Sequence, residues 1–333
     1  MIGGATTSAL HTAVKLAPLY DHVFYAPDAS AGAVLAKHCL RDRSAFEAEQ
    51  HAAQARLRAV HAGRKAVPAG MPAGFPPESY LHAVPEDIPL MEIPLDELVP
   101  LFDWRMFRTV WGVKESLQLT REGRAVLDGM VRDRRVSVRL AARFFAARRV
   151  GEGIDLGSCF LPMLRQEEAP GRSLADFVPE GESGPFGLFA ISVHAPAHPA
   201  GCGCAVCRNA YDSMMERAVR VVLAEAASAW LDRRMAARLP AGVRIAKPAA
   251  GYASCPDHSL KRDILRMLPE GLDIRLTESC AMVPDASICG FIVLHPEACY
   301  PEIRHIGAQQ YERYTTARGF SPEEARAFLS HLL

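Results

Sequence analysis

A proline-rich stretch between residues 66 and 100 most constrains how this chain of 333 residues can fold. It reads AVPAGMPAGFPPES and, a few residues later, VPEDIPLMEIPLDELVP. Repeated prolines fix φ and remove backbone donors, so they break helices and favour extended linkers. We therefore predict a domain boundary here. The linker is expected to be helical and proline-rich over residues 46–99, and to take in most of a polar, solvated helix at residues 44–64.

A short alternating pattern of helix and strand precedes the linker. IGGATTS at residues 2–8 is a glycine-rich turn whose hydroxyl groups can cap a following helix. HVFYA at residues 22–26 is a strand candidate, and DAS at residues 28–30 opens a second helix. A doubly wound domain requires several more strands. Residues 1–45 are therefore predicted to be an incomplete α/β remnant.

The part of the chain after the linker mixes strand and helix signals, which indicates an α+β domain. FGLFAISVH at residues 186–194 predicts a buried strand, while SVRLAARFFAARRV at residues 137–150 fits a strand or a helix. Between about Asp212 and Arg238, apolar residues recur at three- and four-residue spacing. This spacing predicts a long helix with one apolar stripe.

Residues 272–294 predict an antiparallel hairpin. LDIRLTESCAM and ICGFIVL are two apolar runs, and the VPDAS segment between them favours a turn. A helix over about 302–318 is expected to follow and to end at Gly319. Ser321 and Glu324 then have the spacing of a capping box at the start of a last helix.

Composition narrows the class of protein. The formal net charge is zero, 49% of the residues are hydrophobic and 23% are charged, which is ordinary for a globular protein. A nucleic-acid binder usually has a basic excess, so no nucleic-acid partner is predicted. No apolar run is long enough to span a bilayer, and the first residues lack the features of a secretory signal. We expect a cytoplasmic protein with no membrane partner.

Three of the nine cysteines lie in GCGCAVC, and these are Cys202, Cys204 and Cys207. Their spacing could hold zinc or an iron–sulfur cluster, with Cys159 or His194 as a fourth ligand. The alternative is a flexible loop before a helix. Cys255-x-x-His258 also has metal-like spacing, but it lacks a second pair of ligands. We predict no bound metal, with the cysteine cluster kept as an alternative.

Four features could contribute to a binding groove. Glu225 lies at the edge of the apolar stripe of its helix, where it faces either a groove or solvent. Asp103 lies among aromatic residues, where it suits a cationic ligand or a helix cap. The loop Lys247–Ser259 is either a ligand-binding loop or a connector. Tyr300 could stack on a flat ring or belong to the core. The sequence has no G-x-S-x-G, Walker or H-E-x-x-H motif.

Several motifs, in the same order, resemble the reactivation domain of cobalamin-dependent methionine synthase. They are DWRMFRTVW, LRQEE, LADFVP, GYASCPDHS, LTESCAMVPDASICGF and LHPEACY. The similarity runs from about Pro100 to Leu333. The resemblance implies a central antiparallel sheet flanked by helices over residues 100–333. IGGATTSALHTAVK and VFYAPDAS resemble the last part of the flavodoxin-like cobalamin-binding domain, which residues 1–45 would represent.

The resemblance implies a function and a set of site residues. The family binds S-adenosylmethionine and uses it in the reductive methylation of cob(II)alamin, while a flavodoxin-type protein donates an electron. Cobalt is the nucleophile, so no catalytic side chain is expected. The residues at the family's S-adenosylmethionine positions are Asp103, Glu225, Lys247, Gly251, Tyr252 and Tyr300. Those expected to contact cobalamin are Gly3, Gly4, Thr6, Thr7, Ser8 and His258.

The chain also departs from the family. Lys247 occupies the place of the arginine in Arg-x-x-x-Gly-Tyr, and a lysine cannot form the planar two-pronged contact with a carboxylate. The cobalt-ligating Asp-x-His-x-x-Gly motif and the homocysteine and methyltetrahydrofolate modules are absent from the sequence given. We therefore expect the chain to act with the cobalamin-binding and substrate modules of methionine synthase, not to make methionine alone. The alternative is a non-catalytic binding protein that kept the fold and lost the ligand.

Overall fold

The computed structural model describes residues 2, 8–26, 29–64, 84–168, 170–196, 202, 204 and 209–333. The chain divides into two compact units, Met1–Ala69 and Gly70–Leu333. Within the described ranges, every helix is too short or too polar to cross a membrane.

The first unit is mostly helical. Its helices are α1 (Ala9–His11), which continues into a π-helical turn (Thr12–Leu16), α2 (Ala29–Arg41) and α3 (Arg43–Arg64). Ser8 caps α1 as predicted, because its side-chain oxygen accepts the N–H of His11 at 3.1 Å. The predicted strand at residues 22–26 is reduced to one parallel bridge between Ile2 and Tyr25.

Helix α3 contacts the segments before it through aromatic rings and through side chains that bond backbone oxygens. Phe46 is fully buried, and its ring centroid lies 5.1 Å from that of Phe24. Gln54 donates to the carbonyl oxygen of Val23 at 2.7 Å. Since these contacts continue along α3, the predicted boundary at residue 45 falls inside a helix that packs on the residues before it.

The second unit is built on a seven-stranded antiparallel sheet. The order across the sheet is β4-β3-β2-β5-β9-β6, and β1 also pairs with β2. The strands are β1 (Ile88–Ile93), β2 (Ser137–Val150), β3 (Gly153–Asp155), β4 (Phe160–Pro162), β5 (Gly184–His194), β6 (Arg244–Ala246) and β9 (Ser287–His295). A separate pair consists of β7 (Arg275–Leu276) and β8 (Met282–Val283).

Strand β1 comes from the second half of the proline-rich stretch. The sequence predicts a linker up to residue 99, and the structure shows instead a strand that pairs with residues 138–142 of β2. Its position at the edge of the sheet tolerates Pro89, since an edge strand needs hydrogen bonds on one side only. The carboxylate of Asp87 accepts the N–H of Phe144 at 2.7 Å and extends the pairing. The linker residues 65–83 lie outside the described residues.

Helices pack on both faces of the sheet. In chain order they are α4 (Leu95–Leu98), α5 (Trp104–Val110), α6 (Leu117–Asp133), α7 (Ala210–Ala236), α8 (Leu260–Met267), α9 (Ala308–Arg318) and α10 (Pro322–Leu329). Alternate residues of β5 point to opposite faces. Phe189 and Ile191 pack in the cluster that contains α7, and Leu188 packs in the cluster that contains α8. The predicted α+β class with a central antiparallel sheet flanked by helices is confirmed.

The predicted hairpin at residues 272–294 is wrong. Its first arm contributes only β7, which pairs with β8 over two residues. The second arm is β9, and it lies between β5 and β6 in the large sheet. The continuous apolar run of β9 is buried on both faces, which requires a central position, whereas the arm of an isolated hairpin would alternate.

The C-terminal helices largely follow their local signals. Helix α9 begins at Ala308, six residues later than expected, and ends at Gly319, whose φ of 65° is left-handed. The predicted capping box of α10 is present, because Ser321 and Glu324 each bond the other's backbone N–H at 3.2 Å.

Candidate functional site

A concave pocket of about 580 Å³ opens in the second unit beside the edge of the sheet. Helix α7 forms one wall, and residues 247–254, which follow β6, form the opposite wall. Phe189 of β5 and Cys289 of β9 lie at its base, and Tyr300 and Glu302 close one side. Volumes of about 300–1,000 Å³ are typical of small-molecule sites.

The α7 wall is polar because three polar residues lie on one face of the helix. Glu225, Ser228, Ala229 and Asp232 line the pocket, and offsets of three, four and seven residues place them on one helix face. The neighbouring apolar face of α7 is buried against the sheet, where Val222 and Leu231 are fully buried. Packing of the apolar face therefore orients the polar face toward the pocket.

The opposite wall lies unusually close to β9. The carbonyl oxygen of Pro248 accepts the N–H of Phe291 at 3.0 Å, and Ala250 donates to Cys289. A Cβ atom at Gly290 would lie 2.4 Å from the oxygen of Pro248. Glycine at position 290 is thus required for this approach, which carries the pocket loop across the strand.

Gly251 has a structural role in this wall, and its contact with a ligand stays a prediction. In the structure, the φ of Gly251 is 92°, and an added Cβ would lie 2.4 Å from the ring of His258. The imidazole of His258 fills the space, so the glycine permits the turn and this packing. Tyr252, the next residue, lines the pocket and is 71% exposed.

Lys247 is held within the pocket wall. Its ammonium donates to the backbone oxygen of Ser228 and, at 2.7 Å, to the hydroxyl of the same serine. It forms an ion pair with Asp232 at 2.8 Å, in which one carboxylate oxygen is too poorly aligned for a hydrogen bond. Desolvation lowers the pKa of Lys247, while Asp232 and Glu225 act to raise it.

Tyr300 faces the pocket and is anchored at its far end. Its phenol oxygen accepts the backbone N–H of Lys247 at 2.9 Å, while 54% of the residue stays exposed. The ring is therefore not part of the core, and its hydroxyl is held by a hydrogen bond. It has a fixed position and a free face on which a flat ring could stack.

Glu225 is the acid of α7 with the most perturbed environment. Desolvation raises the pKa of its carboxyl, and the charge of Lys247 opposes that effect. The side chain is nevertheless exposed. The two observations agree if solvent reaches the carboxyl only through the pocket mouth while protein surrounds it on the other sides. Among the described residues, its carboxylate has no hydrogen-bond partner, which leaves it available to a ligand.

Asp103 lies outside the pocket lining and acts as a helix cap. It caps α5, and one of its carboxylate oxygens accepts the N–H groups of Arg105 at 2.8 Å and of Met106 at 3.0 Å. It is exposed and is not among the residues that line the pocket. The structure thus shows the helix cap that the sequence allows as an alternative. A contact of Asp103 with a ligand stays a prediction.

Two of the six residues predicted to contact cobalamin can be located. Ser8 uses its side-chain oxygen to cap α1. His258 is half-buried, and its Nδ1 lies 2.9 Å from the ammonium of Lys261. Desolvation, followed by the charge of Lys261, lowers the pKa of His258, which favours the neutral form of the ring. Gly3, Gly4, Thr6 and Thr7 lie outside the described residues, so the contact with cobalamin stays a prediction.

The candidate metal ligands do not come together in the described part of the chain. No group of three or more His, Cys, Asp or Glu residues has metal-binding geometry there. Cys202 and Cys204 are described, but Cys207 is not. The Nε2 of His194 lies 2.9 Å from the hydroxyl of Ser192 and 3.0 Å from the carbonyl oxygen of Leu272. Burial raises the pKa of the Cys255 thiol, which disfavours the thiolate that zinc would need.

The family of this chain follows from its similarity to known proteins. Residues 94–319 match the family described as "Vitamin B12 dependent methionine synthase, activation domain". This chain belongs to that family. Its fold is similar to a crystal structure of the MetH reactivation domain bound to AdoHcy, with a TM-score of 0.65 and 23% sequence identity. The match covers 78% of this chain and 95% of the other.

As a methionine synthase activation domain, the chain uses two of its motifs for structure. Arg165 of LRQEE forms two hydrogen bonds, at 2.6 and 2.7 Å, with the carboxylate of Asp176 of LADFVP. Asp176 is buried and also accepts the N–H of Ser173 at 2.8 Å. A buried carboxylate must be paired in this way to be tolerated. These motifs hold the domain together and do not line the pocket.

Several pocket residues are not among those predicted from the sequence. Ser228, Asp232, Phe189 and Glu302 line the pocket beside the expected side chains. A signal was present for two of them, since Ser228 and Asp232 follow Glu225 at offsets of three and seven residues. Phe189 and Glu302 have no comparable signal, because only the tertiary fold brings β5 and the segment after β9 to the same place.

Proposed function

We propose that the pocket between α7 and residues 247–254 binds S-adenosylmethionine for the reductive methylation of cob(II)alamin. The observation that supports this most strongly is the meeting of Glu225, Tyr252 and Tyr300 in one pocket. They come from three separate segments, and they are three of the residues at the family's ligand positions.

The shape of the pocket suits the ligand. A volume of about 580 Å³ is sufficient for a nucleoside joined to an amino acid. The side chains of Phe189, Met282 and Ile288 supply apolar surface. The exposed ring of Tyr300 offers a face for adenine, and stacking of aromatic rings contributes about 0.5–1.5 kcal/mol beyond burial.

The charge of the pocket also suits the ligand. S-adenosylmethionine carries a sulfonium and an ammonium, and both are cations. The lining side chains Glu225, Asp232 and Glu302 are acidic, and Lys247 is the one basic side chain among the lining residues described. A partly desolvated carboxylate such as that of Glu225 binds a cation more strongly than a carboxylate in open solvent.

The structural relative supports the same ligand class. That protein was crystallised with AdoHcy, which is what remains after S-adenosylmethionine gives up its methyl group. The methyl–sulfur bond would break with both electrons staying on sulfur, and the neutral thioether AdoHcy would leave the pocket. The described residues of this chain would bind and orient the donor and exclude water.

The other components of the reaction are part of the same proposal. When present, cobalamin would supply the reduced cobalt that accepts the methyl group. We infer that it is held mainly by a cobalamin-binding module of methionine synthase, because the family of this chain is described as the activation domain of that enzyme. A flavodoxin-type protein would supply the electron. The chain would then work with the substrate modules that make methionine.

The proposal is tested by methyl transfer in trans. The purified chain would be added to methionine synthase that carries inactive cob(II)alamin and lacks its own activation domain. The electron donor and S-adenosylmethionine with a labelled methyl group would complete the mixture. Label on cobalamin that depends on the chain is the expected result, and Glu225→Gln should lower its rate at least about tenfold. No chain-dependent label, with folding verified, would leave the alternative of a binding protein that has lost the ligand.

A further inference from the structure

Lys247 is the basic side chain of the pocket, and its ammonium is already surrounded by oxygen atoms. The backbone oxygen of Ser228, its hydroxyl and a carboxylate oxygen of Asp232 all contact it. An ammonium has three N–H donors; the two oxygens of Ser228 accept hydrogen bonds from it, and the carboxylate of Asp232 forms an ion pair with the same nitrogen. Only 8% of the lysine side chain is exposed. A ligand would have to displace one of these oxygens to reach the nitrogen.

The arrangement follows from the geometry of α7. Ser228 and Asp232 are four residues apart, so they lie one above the other on the same helix face. The lysine enters from the opposite wall, and its ammonium also lies 5.8 Å from the ring centroid of Phe189. Such a position over an aromatic face adds attraction for a cation. All these contacts pull the charge of Lys247 into the wall and away from the pocket space.

The acids of the pocket are arranged in the opposite way. Glu225 has no hydrogen-bond partner among the described residues, whereas Glu302, whose side chain is 54% exposed, forms an ion pair with Arg304 outside the lining. The pocket therefore presents free negative charge to a ligand while its positive charge is retained. This favours the cationic groups of a ligand and offers little to a carboxylate.

We propose that Asp232 determines specificity at this site. Because Asp232 retains Lys247, the pocket binds the ligand through its sulfonium and ammonium groups and makes no contact with its carboxylate. This inference rests on the proposed function, since it assumes a ligand that carries an amino-acid group. Asp232 acts through Lys247 and is a positioning residue.

The first test compares two ligands by calorimetry on the wild-type chain. S-adenosylmethionine carries the carboxylate, and decarboxylated S-adenosylmethionine lacks it but keeps both cations. We expect the decarboxylated ligand to bind at least one third as tightly as the complete one. If it binds more weakly than that, the pocket reads the carboxylate and the inference is overturned.

The second test uses Asp232→Asn, which keeps the size of the side chain and removes its charge. Lys247 should then be free to contact the ligand, and the preference for S-adenosylmethionine over its decarboxylated form should rise about tenfold. Glu302→Gln is the matched control, because it removes one charge from the same pocket without touching Lys247. An equal change of preference in both variants would show a general charge effect and would overturn the role of Asp232.

The outcomes separate this inference from the proposed function. If the wild-type chain binds S-adenosylmethionine but Asp232→Asn leaves the preference unchanged, the inference fails and the proposed function stands. If the wild-type chain binds neither ligand at millimolar concentration, both fail. A shift in preference without a change in the unfolding midpoint supports the inference over a merely structural effect.

Discussion

The phenol oxygen of Tyr300 accepts the backbone N–H of Lys247 at 2.9 Å. This bond joins the segment after β9 to the segment after β6, and so it fixes the aromatic side of the pocket relative to the loop wall. Without it, the exposed ring of Tyr300 would gain freedom to move, and a ligand would have to order it on binding.

Removal of this hydroxyl should weaken both the fold and the site. Tyr300→Phe is expected to lower the free energy of unfolding by about 1 kcal/mol, since the backbone N–H of Lys247 loses its partner. It should also weaken S-adenosylmethionine binding severalfold. Urea denaturation and calorimetry measure the two effects. Tyr252→Phe is the control, because Tyr252 is 71% exposed and its change should stay within about 0.5 kcal/mol. Equal effects in both variants would contradict a role of the Tyr300 hydroxyl in joining the two segments.

Gly251 should be intolerant of any side chain. Gly251→Ala places a methyl group 2.4 Å from the ring of His258, which Lys261 holds at 2.9 Å. Gly242 has a similar φ of 88° with open space around it, so Gly242→Ala measures backbone strain alone, about 1–3 kcal/mol. We expect Gly251→Ala to destabilise the chain by at least about 2 kcal/mol more. Equal losses in denaturant unfolding would show that the contact with His258 has no effect.

The sequence predicts local structure here better than it predicts partners. The cap at Ser8, the stop at Gly319 and the capping box of α10 depend on a few adjacent residues, and all three are present. The partner of β9 depends on the whole sheet, so pattern alone pairs it with the wrong neighbour. Four residues expected from the resemblance line the pocket, whereas Phe189 and Glu302 reach it only through tertiary packing. The role of Asp232 could not be predicted from the sequence either, because its contact with Lys247 joins two walls of the pocket that are distant in sequence.

Ligand affinity should depend on pH through Glu225. Desolvation raises the pKa of this carboxyl, so it becomes protonated at a higher pH than an ordinary glutamate, whose pKa is about 4.3. The neutral form attracts a cation less. Calorimetry between pH 7.5 and pH 5 should therefore show affinity for S-adenosylmethionine falling with pH in the wild type. In Glu225→Gln the affinity should be low and nearly constant. An identical pH profile in the two proteins would exclude Glu225 as the titrating group.

The same shift fixes the sign of its effect on stability. A carboxyl whose pKa is higher in the folded than in the unfolded state disfavours folding when it is ionised, and this effect disappears as the pH falls. Glu225→Gln should therefore be at least as stable as the wild type at pH 7.5. Thermal unfolding checks this, and a large loss of stability would mean that Glu225 has a structural role.

Arg318 joins α9 to the GYASCPDHS loop. Its guanidinium contacts Asp257 at 3.3 Å, Asp263 at 2.6 Å and the hydroxyl of Ser259 at 2.8 Å. Asp257 is 1% exposed, so Arg318→Met leaves its buried negative charge without the cation that pairs with it. The expected loss is about 3–5 kcal/mol in urea denaturation. The exposed pair of Arg326 and Glu323 gives the control, and Arg326→Met should change stability by less than about 1 kcal/mol.

Calorimetric titration of the wild-type chain and of Glu225→Gln with S-adenosylmethionine tests the central claim most directly. We predict that the wild type binds one equivalent with a dissociation constant below about 1 mM. The variant should bind at least about tenfold more weakly, with an unchanged unfolding midpoint. Absence of binding heat in the wild type at millimolar ligand, or equal affinity in the two folded proteins, would contradict the assignment of this pocket.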